Sequence, residues 1–123
     1  MKQTREKRLN SEFRSYIYEI LKYEIKDPNF ENMFTILDVE TDGDLKTAKV
    51  YVSIYAKDEQ TVQNTLESMK AAAPKLRKEI SSRMHIRTVP EFTFHLDRSS
   101  EYGQKIADII SKFTYGEHND VNN

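Results

Sequence analysis

Between Arg5 and Ile25 the apolar positions Leu9, Phe13, Tyr16, Ile17, Ile20 and Leu21 recur at spacings of three, four and one. They form one stripe of an amphipathic helix. In KDPNFEN, Pro28 biases Asp27 away from helical backbone and predicts a turn. The β-branched and aromatic runs FTILDVE and AKVYVSIYA flank Asp42-Gly43-Asp44, which predicts a β-hairpin. In the second run Ala48, Val50, Val52 and Ile54 share one face, and Lys49, Tyr51, Ser53 and Tyr55 the other. Phe92, Phe94 and Leu96 alternate with Glu91, Thr93, His95 and Asp97, a third strand with one buried face. Ser99-Ser100 then reads as an N-cap for a short last helix marked by Tyr102, Ile106, Ile109, Ile110 and Phe113.

The stretch between hairpin and third strand contains a conflict. Val62, Leu66, Met69, Leu76, Ile80 and Met84 keep one helical face in step, yet Pro74 stands in the middle. In a helix interior proline deletes a hydrogen bond and clashes with the preceding turn, at roughly 3 kcal/mol. The sequence therefore predicts helix, break, helix, with the kink at Ala72, Ala73 and Pro74 and a new helix starting at the proline. The expected order is helix, strand, strand, helix, kink, helix, strand and short C-terminal helix. Three strands cannot bury both faces, so helices cover one: an α+β two-layer sandwich. One domain is expected over residues 1–113, and the polar residues 114–123 read as a disordered tail.

Composition changes this picture little, but charge distribution changes it considerably. With 123 residues, 37% hydrophobic and 32% charged, the chain has the profile of a soluble domain. The absence of a signal-like apolar segment and of cysteine fits the cytoplasm, and no run is long and apolar enough for a membrane span. The net charge of −1 conceals segregation. Residues 1–23 carry six Lys/Arg against three Glu, and residues 70–87 six against Glu79 alone, while the rest of the chain is acidic. Such local basic islands bear on partners more than whole-chain charge does.

Candidate catalytic chemistry is thin. The glycines at 43, 103 and 116 make no phosphate-binding loop, and His85, His95 and His118 are scattered without ligand spacing. Asp42-Gly43-Asp44 lacks the ligand ladder of a calcium loop. The expectation is a protein that is not an enzyme, with no metal, cofactor or small-molecule substrate.

At about 100° per residue, with Leu76, Ile80 and Met84 inward, Lys75, Lys78 and Ser82 face outward, flanked by Arg77 and Arg83. Beside a helix start at Pro74, with its free N–H groups and positive dipole end, these cations would make a phosphate site. With Lys70, Arg87, and Arg5, Lys7 and Arg8 of the first island, they are the candidate RNA-binding residues.

RTVPEFTFHLDRSSEYGQKI after LRKEISSRMHI, with IKDPNF and DLKTAKVYVSIYA upstream, resembles the bacterial ribosome-binding factor A family from about Arg5 to Ile110. The resemblance implies a type II K-homology-like fold and a monomeric assembly factor. Its implied partners are the small (30S) ribosomal subunit and 16S rRNA, in late subunit maturation, rRNA processing and growth after cold shock. It also implies a kinked Ala-x-Gly between two helices, where this chain has Ala72, Ala73 and Pro74. The alternative from the residues alone is a protein–protein adaptor using the open sheet face or an edge strand.

Overall fold

The computed structural model describes residues 2–98. The short helix expected at 102–113, its Ser99-Ser100 cap and the tail at 114–123 lie outside the described residues.

Helix α1 spans Lys2–Glu19 and passes directly into a π-helical turn, Ile20–Glu24. Here the Ile25 N–H donates five residues back to the Ile20 carbonyl, at 3.0 Å. Phe13, Ile17, Ile20 and Leu21 are fully buried, so the wider turn accompanies inward placement of two consecutive side chains. Asp27 then caps a 3₁₀ turn, Pro28–Glu31, by accepting from the Asn29 N–H at 2.9 Å.

Strands β1 (Met33–Thr41) and β2 (Thr47–Tyr55) form the expected antiparallel hairpin. In its turn the Asp42 carboxylate accepts from the Lys46 N–H at 3.0 Å and the Thr47 hydroxyl at 2.7 Å. The residue with positive φ is Leu45, at 60°, not Gly43. Strand β1 carries an irregularity between Ile36 and Asp38, so Ile36 faces Val52 while Asp38 faces Tyr51. The extra residue re-aims the end of β1. Strand β3 (Glu91–Leu96) runs parallel to β2, giving the sheet order β1-β2-β3.

The core is the single layer between this sheet and the helices. Ala48, Val50, Val52 and Ile54 of β2, Phe34 and Ile36 of β1, and Phe92 and Phe94 of β3 meet the apolar stripes of both helices. Phe13 packs edge-on against Phe92, ring centroids 5.5 Å apart. The α+β two-layer sandwich is therefore present as the alternation of side chains predicts.

The break does not form. Helix α2 is one continuous α-helix, Glu59–Arg83, with Pro74 inside it, so no free helix start exists at residue 74 and Ala72, Ala73 and Pro74 lie within a helix rather than between two. Packing overrides the local penalty: Val62, Leu66 and Met69 before the proline and Leu76 and Ile80 after it are buried in the same core. The exposed Pro74 keeps its ring out of that layer, and Ala71, Ala72 and Ala73 supply the best helix propensity with the smallest side chains. Proline still cannot donate to the Lys70 carbonyl. Pro74→Ala is accordingly expected to stabilise the protein. A restored N–H and up to about 3 kcal/mol of propensity outweigh the roughly 0.4–1 kcal/mol by which proline restricts the unfolded chain. A urea midpoint raised by the equivalent of about 1–2 kcal/mol with unchanged slope is the expected outcome; an unchanged or lower midpoint would mean that the helix gains nothing from the missing bond.

Candidate nucleic-acid interface

Asp58 caps α2, its carboxylate accepting from the Thr61 N–H at 2.8 Å. Buried Thr65 anchors the helix to the turn before β1. Its hydroxyl donates to the Thr61 carbonyl at 2.9 Å and accepts from Asn32 Nδ2 at 3.2 Å, while Asn29 Nδ2 donates to Ser68 Oγ at 2.9 Å. With its inner face fixed in this way, α2 presents Lys70, Pro74, Lys75 and Lys78 outward, all exposed. Lys70 pairs with Glu67 at 3.4 Å on the surface, where such a pair contributes little. Among the described residues Lys75 and Lys78 have no ion-pair partner. Arg87 is exposed in the segment joining α2 to β3.

The two flanking arginines are both engaged, Arg77 by one N–H and Arg83 by both ends of its guanidinium. Arg77, on one flank, donates from Nε to the Val89 carbonyl at 3.0 Å and braces the segment leading into β3. Arg83, on the other, forms a two-pronged pair with Glu24, reaches Glu79 at 3.2 Å and lies 4.0 Å from Glu19. This clamp ties the end of α2 to the end of α1. The Arg83 hydrogen bond holds the Glu24 carboxyl below its ordinary range, against a smaller opposing effect of desolvation, with the charges of Arg83 and Lys75 assisting. Glu24 in turn raises Arg83.

Because the Glu24 carboxyl titrates lower in the folded than in the unfolded chain, its stabilisation is fully present above the ordinary glutamate range. It is lost as pH falls through that range to the depressed folded value. Arg83→Ala should thus lower the thermal midpoint at neutral pH by an amount that shrinks on acidification through that window. A pH-independent loss would assign Arg83 to packing alone.

Arg5, Lys7 and Arg8 are exposed on the first turns of α1. At 1.5 Å per residue they lie about 20 Å along the helix from the junction where Glu19 meets Arg83. Arg14, which the reading of charge islands did not single out, lies about two turns beyond Lys7 on α1 and donates to the Leu37 carbonyl on β1 at 3.5 Å. Its signal in the sequence is the polar series Lys7, Ser11, Arg14, at spacings of four and three beside the apolar stripe.

The open sheet face is already cross-linked. The Tyr51 hydroxyl donates to Glu40 Oε1 at 3.4 Å, its ring lies 5.8 Å from that of His95, and His95 Nε2 meets Thr93 Oγ1 at 3.0 Å. Tyr51 is thereby used in cross-strand packing. No helix of the described residues is long and apolar enough to cross a membrane.

A family model described as Ribosome-binding factor A matches residues 5–110. A ribosome-binding factor A from Caldanaerobacter subterraneus subsp. tengcongensis is 42% identical over 118 residues, 96% of each chain. The crystal structure of ribosome-binding factor A from Thermus thermophilus superposes with a TM-score of 0.65 at 21% identity, covering 77% of this chain and 98% of that one. A homology model of the Thermus thermophilus factor, as fitted into the cryo-EM map of a 30S complex, gives a TM-score of 0.60 at 21% identity, covering 76% of this chain and 97% of that one. These two structures share the K-homology-like α+β fold with the present one. On the family match over most of its length and the close relative in Caldanaerobacter, this chain belongs to the ribosome-binding factor A family.

Proposed function

We infer that the protein is a non-enzymatic assembly factor that binds the small ribosomal subunit through its 16S rRNA and supports late maturation and processing of the rRNA precursor. The observation that carries this reading is the outer face of α2. Lys75 and Lys78 are exposed there without a carboxylate partner among the described residues, beside Lys70, and on a helix whose inner face is fixed in the core. Cations free of intramolecular partners are the groups that phosphates of a folded RNA can neutralise. Arg87 extends this face, and Arg5, Lys7 and Arg8 supply a second contact area on α1. Arg83 acts as a brace, while Arg77, exposed and with only its Nε–H committed, keeps the rest of its guanidinium for phosphate. The description of the Thermus thermophilus relative as part of a 30S complex supports the choice of partner.

The test is co-sedimentation with purified small subunits across a salt series. Phosphate-led binding falls steeply as salt rises, with a log–log slope set by the number of phosphates engaged. Binding that persists unchanged from low to high salt would instead indicate an apolar protein contact.

A further inference from the structure

At the Lys7 end of α1, where the helix crosses the irregularity in β1, a pocket of about 220 Å³ opens between the two elements, lined by Lys7, Asn10, Ser11, Arg14 and Asp38. The polar groups are of two kinds. Lys7, Ser11 and Arg14 are donors on one helical stripe. Lys7 has no ion-pair partner among the described residues, and Arg14 spends one N–H on a long bond to the Leu37 carbonyl, leaving the rest of its guanidinium available. The other two are acceptors, Asp38 from the facing strand β1 and Asn10 from the same stripe of α1. Asp38 uses Oδ1 to accept from the Val39 N–H at 2.9 Å, with its second oxygen uncommitted, and Asn10 Oδ1 is buried with no hydrogen-bond partner among the described residues. A buried carboxamide oxygen without a donor is unfavourable by itself and is the kind of group a ligand completes.

A ligand that completes the pocket carries an anion for Lys7 and Arg14 and a hydroxyl donor for the buried Asn10 oxygen. A free inorganic anion meets the first set without a sugar hydroxyl beside it. A DNA backbone likewise offers phosphate without the hydroxyl. A ribonucleotide backbone offers both, one phosphate and its neighbouring 2′-hydroxyl, the group by which a protein distinguishes RNA from DNA. We propose that this pocket is a ribose–phosphate site. Lys7 and Arg14 hold the phosphate, the 2′-hydroxyl donates its one proton to the buried Asn10 Oδ1 with Asp38 bordering the site from β1, and the site makes the first basic island selective for RNA. It rests on the RNA-binding reading above and is distinct from the lysine face of α2.

The experiment measures binding of an oligouridylate and its 2′-deoxy counterpart to the full chain, beside co-sedimentation with small subunits, for the parent, Lys7→Ala/Arg14→Ala and Asn10→Ala. The parent is expected to prefer the ribo-oligomer. The double variant should lose about tenfold in affinity for both oligomers. Asn10→Ala should reduce the ribo preference severalfold while leaving the deoxy affinity unchanged. Its thermal midpoint should rise, because alanine removes an unpartnered buried oxygen and favours the helix. A residue with a purely structural role would not combine higher stability with lost RNA preference. Equal parental affinity for the two oligomers overturns the proposal, as does a double variant that binds like the parent. An Asn10→Ala protein with the parental preference does the same. If the parent binds subunits and oligomers without salt dependence, the RNA reading itself fails, which none of the other outcomes would produce.

Discussion

Phe94→Ala is expected to bring the protein to the edge of unfolding. Phe94 is 4% exposed at the centre of β3, opposite Val50 of the central strand, with both helices packed on the same layer. Truncating a buried phenylalanine removes its transfer free energy and leaves a cavity, together about 3–5 kcal/mol. That is a large share of the roughly 5–15 kcal/mol that holds a domain together. A thermal midpoint lower by about 10–20 °C, or loss of a cooperative transition, is the expected reading. A shift of a degree or two would contradict both the facing of β3 and its place in the core. Glu91→Ala, on the outer face of the same strand, serves as the control, since an exposed substitution falls within about 0.5 kcal/mol.

The second large effect is on binding rather than stability. Lys75→Glu/Lys78→Glu reverses two exposed charges that have no partner among the described residues, so the fold should be nearly unaffected. If each lysine neutralises one phosphate, removing both lowers the log–log salt slope by about 2 and affinity for small subunits at moderate salt by roughly 10–100-fold. Lys75 also assists in holding down the Glu24 carboxyl, so a small loss of stability through the clamp is compatible with the reading. Parental co-sedimentation by the folded double variant would remove the outer face of α2 from the interface.

The parts of this fold that were legible in sequence are those written in local periodicity. Alternation from Glu91 to Leu96 placed β3 and its inward Phe92 and Phe94, and the apolar stripes placed both long helices and their buried faces. What was not legible depends on neighbours distant in the chain. Pro74 carries a strong local signal for a break, yet its helix continues because residues on both sides of it are required by one core. The fates of Arg77 and Arg83 were likewise hidden. At 100° per residue they border the outer stripe, but only the folded chain brings the Val89 carbonyl and the Glu24 carboxylate within their reach. Lys75 and Lys78, at the middle of that stripe, were placed correctly as exposed by the same arithmetic. The pocket under Lys7 and Arg14 escaped notice because half its acceptors come from β1 and from a register irregularity that no residue announces.

The parallel pairing of β2 with β3 has a consequence for how the molecule assembles in time. The hairpin and α2 close through contacts near in sequence, but β3 can add to β2 only after the whole of α2 has intervened, and parallel neighbours require such a long crossover. Ordering that loop precedes the reward of pairing, so docking of β3 is the slow, non-local step of folding. Until it occurs, the edge of β2 that receives β3 has neither hydrogen-bond partners nor cover from Phe92 and Phe94. The nascent domain is therefore most exposed to association with other chains in the interval between completing α2 and acquiring its last described strand.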